Sequence, residues 1–494
     1  MKFTALLALL IGAFAQLSSA SLVTASFELL FAETYTVDTW KADIASAKAA
    51  GIDGFTLVAV PPNCQTRDLS WQTAKIKDAY TAAATLNFTL IPAFDMSYHF
   101  RTDNCPTGNA WNMTYQSTLI SDASKQSPTY HWNDAVLVTT HGGSLYGDDY
   151  FSQMKSLLER QGINVSIAPY IETYVEAAHE HGDPEKQAQY AYSDYPSIDG
   201  FYNAMAWPLN VRENLTCDVD IALKDGLKNA GRKGPYITAV SPWYYKNLNT
   251  NSPADSLVQY SDTLWYDRWR SVIANAKPDI INIESWNSWD SSTYLRDVPE
   301  QNGIAPGCVD LGDPGNYVYG MNHTSWQTMG KHYAQYYKSG TEPEIKDNSL
   351  IYWYRVHRKD AECRGGQASA TGCVQNSKFP DDSVFIWAAV RAHVEIEVFF
   401  GNSPKSQDMR PGSPKVTFST VNQTGPQLLE LPFPDDFPLN DTDVLYPHVM
   451  VYGASVHRIA YSKYDSVPIT ADCAWTNFNP VVQSLGPDFN QIIG

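Results

Sequence analysis

Carboxyl side chains stand at the ends of several short β-rich runs: Glu33 at the end of the first, Asp95 at the end of the third, Glu172 just after the fifth, Glu284 at the end of the eighth and Asp290 in the loop beyond. Aromatic residues gather at equivalent places, with Trp207 after the sixth run, Trp243 and Tyr244 after the seventh, and Trp286 and Trp289 after the eighth. Flat aromatic faces suit the C–H faces of sugar rings. Cleaving a glycosidic bond needs two carboxyls, one to protonate the leaving oxygen and one to activate water or attack the sugar. Asp95, Glu284 and Asp290 are the candidate catalytic acids. Glu33, His141, Glu172, Trp207, Trp243, Tyr244, Trp286 and Asn287 are the candidate substrate contacts. Each has a plainer alternative: a solvated helix cap for Asp290, a buried ion pair for Glu284, a locally satisfied imidazole for His141, and rim packing for each aromatic. His179-Glu-His181-Gly-Asp183 invites a metal reading, but it lacks the spacing of a helical ligand pair and reads as a polar helix end before a glycine stop. Neither a metal nor a cofactor is expected.

Positioning these groups requires a repeated β-then-α unit. Eight β-rich runs, each followed by a helix-capable segment, extend to about residue 340: Phe27–Glu33, Gly54–Val60, Thr89–Asp95, Ala135–Thr140, Val165–Ile171, Gly200–Ala206, Tyr236–Ser241 and Asp279–Glu284. Helices are expected over Val37–Ala50, capped by Asp38 and stopped by Gly51, and over Ser70–Thr85, capped by Ser70. The pattern predicts an α/β chain folded as a (β/α)8 TIM barrel over 21–343, with a doubly wound sheet as the alternative. In a barrel the strand C-termini share one mouth, whereas Asp53, which precedes the second strand, falls on the opposite, structural face. After Lys338-Ser-Gly-Thr-Glu-Pro343 the texture changes to alternating strands such as Leu350–Arg355, Val384–Val390 and Val394–Phe400. That predicts a C-terminal antiparallel β-sandwich over 344–494.

Residues 1–20 have the charged start, apolar run and small-residue end of a secretory signal, and no later apolar run is long enough to span a membrane. Seven Asn-x-Ser/Thr sequons, at Asn87, Asn112, Asn164, Asn214, Asn322, Asn422 and Asn440, agree with an exported, extracellular or cell-wall protein. Seven cysteines permit three disulfides and one free thiol, and Cys363 with Cys373 is the favoured pair. A net charge of −18 argues against nucleic acid or an anionic membrane as partner and suits a neutral substrate. No heptad or amphipathic stripe calls for a second chain, so a monomer is expected.

These segments together resemble fungal glycoside hydrolase family 71, the α-1,3-glucanases or mutanases. The likeness is carried by Glu33-Thr-Tyr35, Ala47-Lys-Ala-Ala-Gly-Ile-Asp-Gly-Phe55, Ala93-Phe-Asp95, Ala206-Trp-Pro208, Ala239-Val-Ser-Pro-Trp-Tyr-Tyr245, Ser261-Asp-Thr-Leu-Trp-Tyr-Asp-Arg-Trp269 and Ile351-Tyr-Trp-Tyr-Arg355. It implies a barrel with a C-terminal β-sandwich and endo-hydrolysis of the α-1,3-glucan of fungal cell walls. The family's eighth-strand segment carries an Asp and a Glu regarded as the catalytic pair of an inverting mechanism. Here Ser285, Trp286, Asn287 and Tyr294 match that segment, but those two positions are Ser288 and Ser291, and Gly142 replaces a third acid. A serine hydroxyl can neither donate nor accept the catalytic proton usefully at neutral pH. Two readings stand: a hydrolase with relocated acids, and a silent relative that binds glucan without cutting it.

Overall fold

The computed structural model describes residues 21–62, 68–98, 110–248, 255–300, 314–359, 374–391, 393–403, 415–419, 425–435, 444–452, 458–461, 467–470 and 476–485. The leader-like residues 1–20, the Cys363 and Cys373 pairing and the sequons at Asn422 and Asn440 lie outside them.

Eight parallel strands organise the first part of the chain: β1 (Leu22–Glu28), β2 (Gly54–Ala59), β3 (Thr89–Asp95), β4 (Ala135–His141), β5 (Val165–Pro169), β6 (Phe201–Asn203), β7 (Tyr236–Val240) and β8 (Ile280–Ile283). They pair in the order β5-β4-β3-β2-β1-β8-β7-β6. The sequence Leu-Val-Thr-Ala-Ser-Phe-Glu of β1 shows how side chains divide between the two faces. Val23, Ala25 and Phe27 join the apolar cluster that contains Trp40, Ile44 and Ala47 of helix Val37–Ala49. On the other face Thr24 and Ser26 bond to Asn282 of β8.

That polar face is concave. Adjacent strands lie roughly 4.8 Å apart, so β1 and β4, three positions apart, would be separated by about 14 Å in a flat sheet. Ser26 Oγ of β1 is nevertheless 3.3 Å from His141 Nε2 of β4. Asn282 of β8 likewise reaches past β7 to the Tyr202 hydroxyl of β6 at 2.8 Å. Only a strongly curled sheet allows both contacts. At its two ends, the N–H groups of Asp199 and Gly200, just before β6, donate to Ile167 O of β5 at 2.9 and 3.1 Å.

Several local expectations need correcting. The first strand spans Leu22–Glu28 and ends at Glu28, so Glu33 lies beyond it, after a single 3-10 turn at Leu29–Phe31. Helix Val37–Ala49 is capped by Thr36 rather than Asp38, because the Thr36 hydroxyl accepts the Thr39 N–H at 3.2 Å while Asp38 sits inside the first turn. The next helix, Gln72–Leu86, begins after Ser70, and Trp71 precedes it without a side-chain cap.

The later strands form two antiparallel sheets: β9 (Ser349–Arg355), β10 (Ser383–Ala389), β13 (Gln427–Pro432) and β16 (Pro480–Ser484) in one, and β11 (Glu395–Gly401), β12 (Lys415–Ser419), β14 (Val444–Tyr452) and β15 (Arg458–Tyr461) in the other, with Ile469–Thr470 also paired to β14. Alternation along β9 gives the first sheet two apolar faces. Ile351 and Trp353 join the cluster that fills the α/β part, while Leu350, Tyr352 and Tyr354 share a cluster with Ile396, Val398 and Val449 of the second sheet. Indole hydrogen bonds from Trp353 to Asp262 O (2.9 Å) and from Trp387 to the Tyr333 hydroxyl (3.2 Å) fix this seam.

Asn87, Asn112, Asn164 and Asn214 are exposed, whereas Asn322 is half-buried with its amide donating to Asp297. Cys217 is a buried free thiol. Among the described residues no helix is long and apolar enough to cross a membrane.

Candidate active site

The concave polar face ends in a cluster of acids at the strand C-termini. Asn282 is its hub. Its Oδ1 accepts from Thr24 (2.7 Å) and Thr56 (3.0 Å), which fixes the amide so that Nδ2 points to Ser26 (2.9 Å), Tyr202 (2.8 Å) and Glu284 Oε1 (3.0 Å). Glu284 Oε1 also accepts from the hydroxyls of Ser26, at 2.8 Å, and Tyr202, and lies 3.2 Å from His141 Nε2. All of these contacts fall on Oε1, and among the described residues Oε2 has no hydrogen-bond partner. The group is 7% exposed.

Glu28, at the end of β1, faces this pair. Its backbone is clamped by Asn287, whose amide accepts the Glu28 N–H at 2.8 Å and donates to the Glu28 carbonyl at 3.1 Å. No hydrogen bond reaches its carboxyl among the described residues. One side-chain atom from each of Glu28, His141 and Glu284 lies within 4.8 Å of the others.

Electrostatics divides the two glutamates. Burial pushes Glu28 up to about 8; His141 opposes this, and the negative charges of Glu284, Asp95 and Asp290 add to it. For Glu284 burial again opposes ionisation, but His141 and the Tyr202 and Ser26 hydroxyls hold it below its ordinary value. Burial also lowers His141, yet Glu284, Glu28 and Asp95 outweigh it and raise the imidazole to about 9. At neutral pH the mouth therefore holds a protonated Glu28 beside an ionised Glu284 and an imidazolium. A protonated carboxyl beside an ionised one is a set of groups suited to proton transfer.

The other expected residues divide by position. Asp95 ends β3 within reach of His141's charge; burial pushes it up, against hydrogen bonds from the Ser97 N–H (2.9 Å) and hydroxyl (2.6 Å). Asp290 is also near, but its oxygens are engaged by the Ser288 hydroxyl at 2.8 Å and by Lys246 Nζ at 3.4 Å. Trp207 and Tyr244 are half-buried and pack at 4.3 Å between ring centroids.

Five candidate contacts fall elsewhere. Glu172 Oε2 accepts the N–H groups of Gly143 and Ser144 at 2.9 and 3.2 Å, bracing the loop after β4. Glu33 lies past the 3-10 turn. Trp243 is 1% exposed and donates to Phe478 O in the C-terminal part; Trp286 is fully buried, donates to Asp43 and packs on Phe55; Asn287 is consumed by the Glu28 backbone. Indoles that share apolar contacts and a buried acceptor settle in the core, not on the rim. His179 and His181 end a helix closed by Gly182 in the left-handed conformation. Asp53 takes the Val23 N–H and a Lys338 ion pair, away from the mouth.

Glu28, Ser26, Tyr202, Asn282 and Lys246 were not among the expected site residues. Their signal was present in part: Thr24, Ser26 and Glu28 alternate with Val23, Ala25 and Phe27, the period of a strand with one polar face.

Residues 19–435 match the family model described as Glycosyl hydrolase family 71. Over 437 residues the chain is 28% identical to a glucan endo-1,3-alpha-glucosidase of Schizosaccharomyces pombe, covering 86% of this chain and 91% of that one. Over 389 residues it is 25% identical to a mutanase of Penicillium rubens, covering 77% and 75%.

Proposed function

The chain belongs to glycosyl hydrolase family 71, and from that premise we propose that it hydrolyses α-1,3-glucan at the mouth formed by Glu28, Glu284, His141 and Asp95. The names of the two relatives, a glucan endo-1,3-alpha-glucosidase and a mutanase, support the substrate. The observation that carries the chemistry is a protonated and an ionised carboxyl side by side, each with an oxygen free to meet a ligand. Glu28 is the proton donor to the leaving oxygen. Glu284 supplies the negative charge opposite it, held ionised by His141 and oriented by Ser26, Tyr202 and Asn282. Asp95 adds charge that keeps Glu28 protonated, and Asp290, tied to Lys246 and Ser288, orders the loop after β8. The Trp207 and Tyr244 rings form a stacking surface for a sugar.

We further read the curled sheet as a (β/α)8 barrel over 21–343 and the two antiparallel sheets as a β-sandwich over 344–494. The Asp199 and Gly200 hydrogen bonds to Ile167 support the first, and the apolar cluster shared by both sheets supports the second. Export to act on extracellular or cell-wall glucan is supported by the leader-like start and the exposed sequons.

The replacement of two expected acids by Ser288 and Ser291 favours a second reading, glucan binding without cleavage. Reducing-sugar release from insoluble α-1,3-glucan, run beside a pull-down on the same glucan, separates the two. Release that is lost in Glu284→Gln supports the hydrolase; retention on glucan with no release supports the binder.

A further inference from the structure

Three residues after β7 reach for one short segment far along the chain. Trp243 Nε1 donates to Phe478 O at 3.0 Å, and the Tyr245 hydroxyl and Asn247 Nδ2 both donate to Thr476 O, the latter at 2.9 Å. These acceptors belong to residues 476–480, which lead into β16 of the C-terminal sheets. Alternate residues of an extended segment point to opposite faces, and Tyr245–Asn247 is a short strand. Trp243, Tyr245 and Asn247 turn to residues 476–480. The residues between them turn to the mouth, where Tyr244 packs on Trp207 at 4.3 Å and Lys246 Nζ lies 3.4 Å from Asp290 Oδ2.

The same segment also braces the loop after β8. Asn479 is fully buried, and its Nδ2 donates to the Tyr294 hydroxyl at 2.8 Å and to Tyr317 O at 2.9 Å; Asn477 Nδ2 donates to Tyr317 O at 3.3 Å. The Tyr317 hydroxyl in turn donates to Asp290 O at 2.7 Å, and the Tyr245 N–H donates to Ser291 O at 3.0 Å, which ties the two loops together. Lys246 and Asp290 both lie beyond the strands that precede them, which end at Val240 and Ile283. The parallel sheet alone therefore does not fix them, and a site carried on loops needs support from outside to hold its geometry.

Given the glucan mouth read above, on which this rests, we propose that residues 476–480 are a positioning strap for the sugar site. Their hydrogen bonds set Tyr244, Lys246 and Asp290 from behind, and through them the affinity for a glucan chain. The strap acts through the side chains it backs. The Tyr244 ring completes the stacking surface with Trp207, and the Lys246–Asp290 pair offers an ammonium and a carboxylate to sugar hydroxyls. The C-terminal sheets thus contribute to recognition as well as to packing, by way of a segment whose bonds all land on the back of the mouth.

The test is the affinity of the full chain for a soluble α-1,3-linked glucose oligosaccharide, read by titration calorimetry in a Glu284→Gln background so that the ligand is not consumed. Tyr245→Phe combined with Asn247→Ala removes both bonds to Thr476 O, and Tyr317→Phe removes the bond to Asp290 O; the aromatic rings are kept. Expected is an affinity about threefold to tenfold weaker in each, the scale of one or two hydrogen bonds. Tyr333→Phe, which removes the acceptor of the Trp387 indole elsewhere on the same seam, should lower Tm and leave the affinity unchanged. Affinities within about twofold of the background in the strap variants, or an equal loss in Tyr333→Phe, would overturn the proposal. Should one strap variant fail to fold, the other decides by the same limit. No binding by the background protein would overturn the mouth as a sugar site along with the strap. Reducing-sugar release by the wild type scores cleavage separately: binding without release, still weakened in the strap variants, would keep the strap and overturn the hydrolase.

Discussion

Glu284 and Asp262 are both buried carboxyls, at 7% and 1% exposure, yet their surroundings drive them in opposite directions. At the mouth, three donors and an imidazolium converge on Glu284 and keep it ionised. At the seam with the C-terminal sheets, Asp262 Oδ2 receives the Asp381 N–H at 2.6 Å, while Oδ1 has no hydrogen-bond partner among the described residues. Arg355 is close, but its guanidinium is spent on Asp382 at 2.6 Å. Burial therefore pushes Asp262 up to about 7, with Arg355 and the Asp381 N–H opposing and the charges of Asp381 and Glu430 adding to the rise. Burial alone does not make a reactive acid. What distinguishes the mouth is a dedicated polar network that sustains charge, beside a second carboxyl that is left unbonded.

The largest effect that would sharpen this contrast is Glu284→Gln. Removing the ionised partner should lower kcat on α-1,3-oligosaccharides by at least about 10^3, near the upper range for a single acid–base group, with an unchanged circular dichroism spectrum. A loss below tenfold would place the chemistry elsewhere.

Glu28→Gln should cost about 10^2 to 10^3 in kcat. The sign of the pH dependence follows from its raised value: Glu28 must be protonated to act, so wild-type kcat/KM should fall as pH rises through about 8. The residual activity of the variant should lack that alkaline limb. An unchanged limb would assign it to another group.

A smaller loss is expected for Tyr202→Phe. Deleting one hydrogen bond to a charged acceptor is worth roughly 1.5–3 kcal/mol, or about tenfold to a hundredfold in rate. It should also move the acidic limb of kcat/KM upward, since Glu284 loses a bond that favours its ionised form. A fall in rate at constant pH profile would mean that the ring only packs.

Asp262→Asn should act on stability alone. A carboxyl whose folded value is raised to about 7 from about 4 contributes stability below about pH 4 that is lost as pH rises through about 7. The variant should thus gain Tm relative to wild type at pH 8 and little at pH 5, with hydrolysis unaffected. An equal change at both pH values would show that packing, not titration, sets the cost.

Much of the fold was legible in the sequence because period-2 apolar runs alternate with helical segments, and because acids that end strands in a parallel sheet must share a side. That reasoning predicts a shared side for Asp95 and Glu284, and the structure brings both close to His141. Glu28 was missed because the apolar residues Leu29, Leu30 and Phe31 look like the strand's continuation, although they form a 3-10 turn. Trp243 and Trp286 sit at the right chain positions but point toward buried acceptors, Phe478 O and Asp43, that are 235 and 243 residues away. Pairings so distant leave no local trace. The hub role of Asn282 is equally hidden, since it depends on Thr24, Thr56 and Tyr202 arriving from three other strands.

The assignment of acid to Glu28 and of the charged partner to Glu284 is tested by comparing two substrates in the two Gln variants: an α-1,3-linked oligosaccharide, whose leaving group needs a proton, and an α-1,3-linked disaccharide fluoride, whose leaving group needs almost none. Expected is that Glu28→Gln loses the oligosaccharide but still releases fluoride near the wild-type rate, while Glu284→Gln loses both. Equal losses on both substrates in Glu28→Gln, or fluoride release surviving in Glu284→Gln, would contradict the assignment.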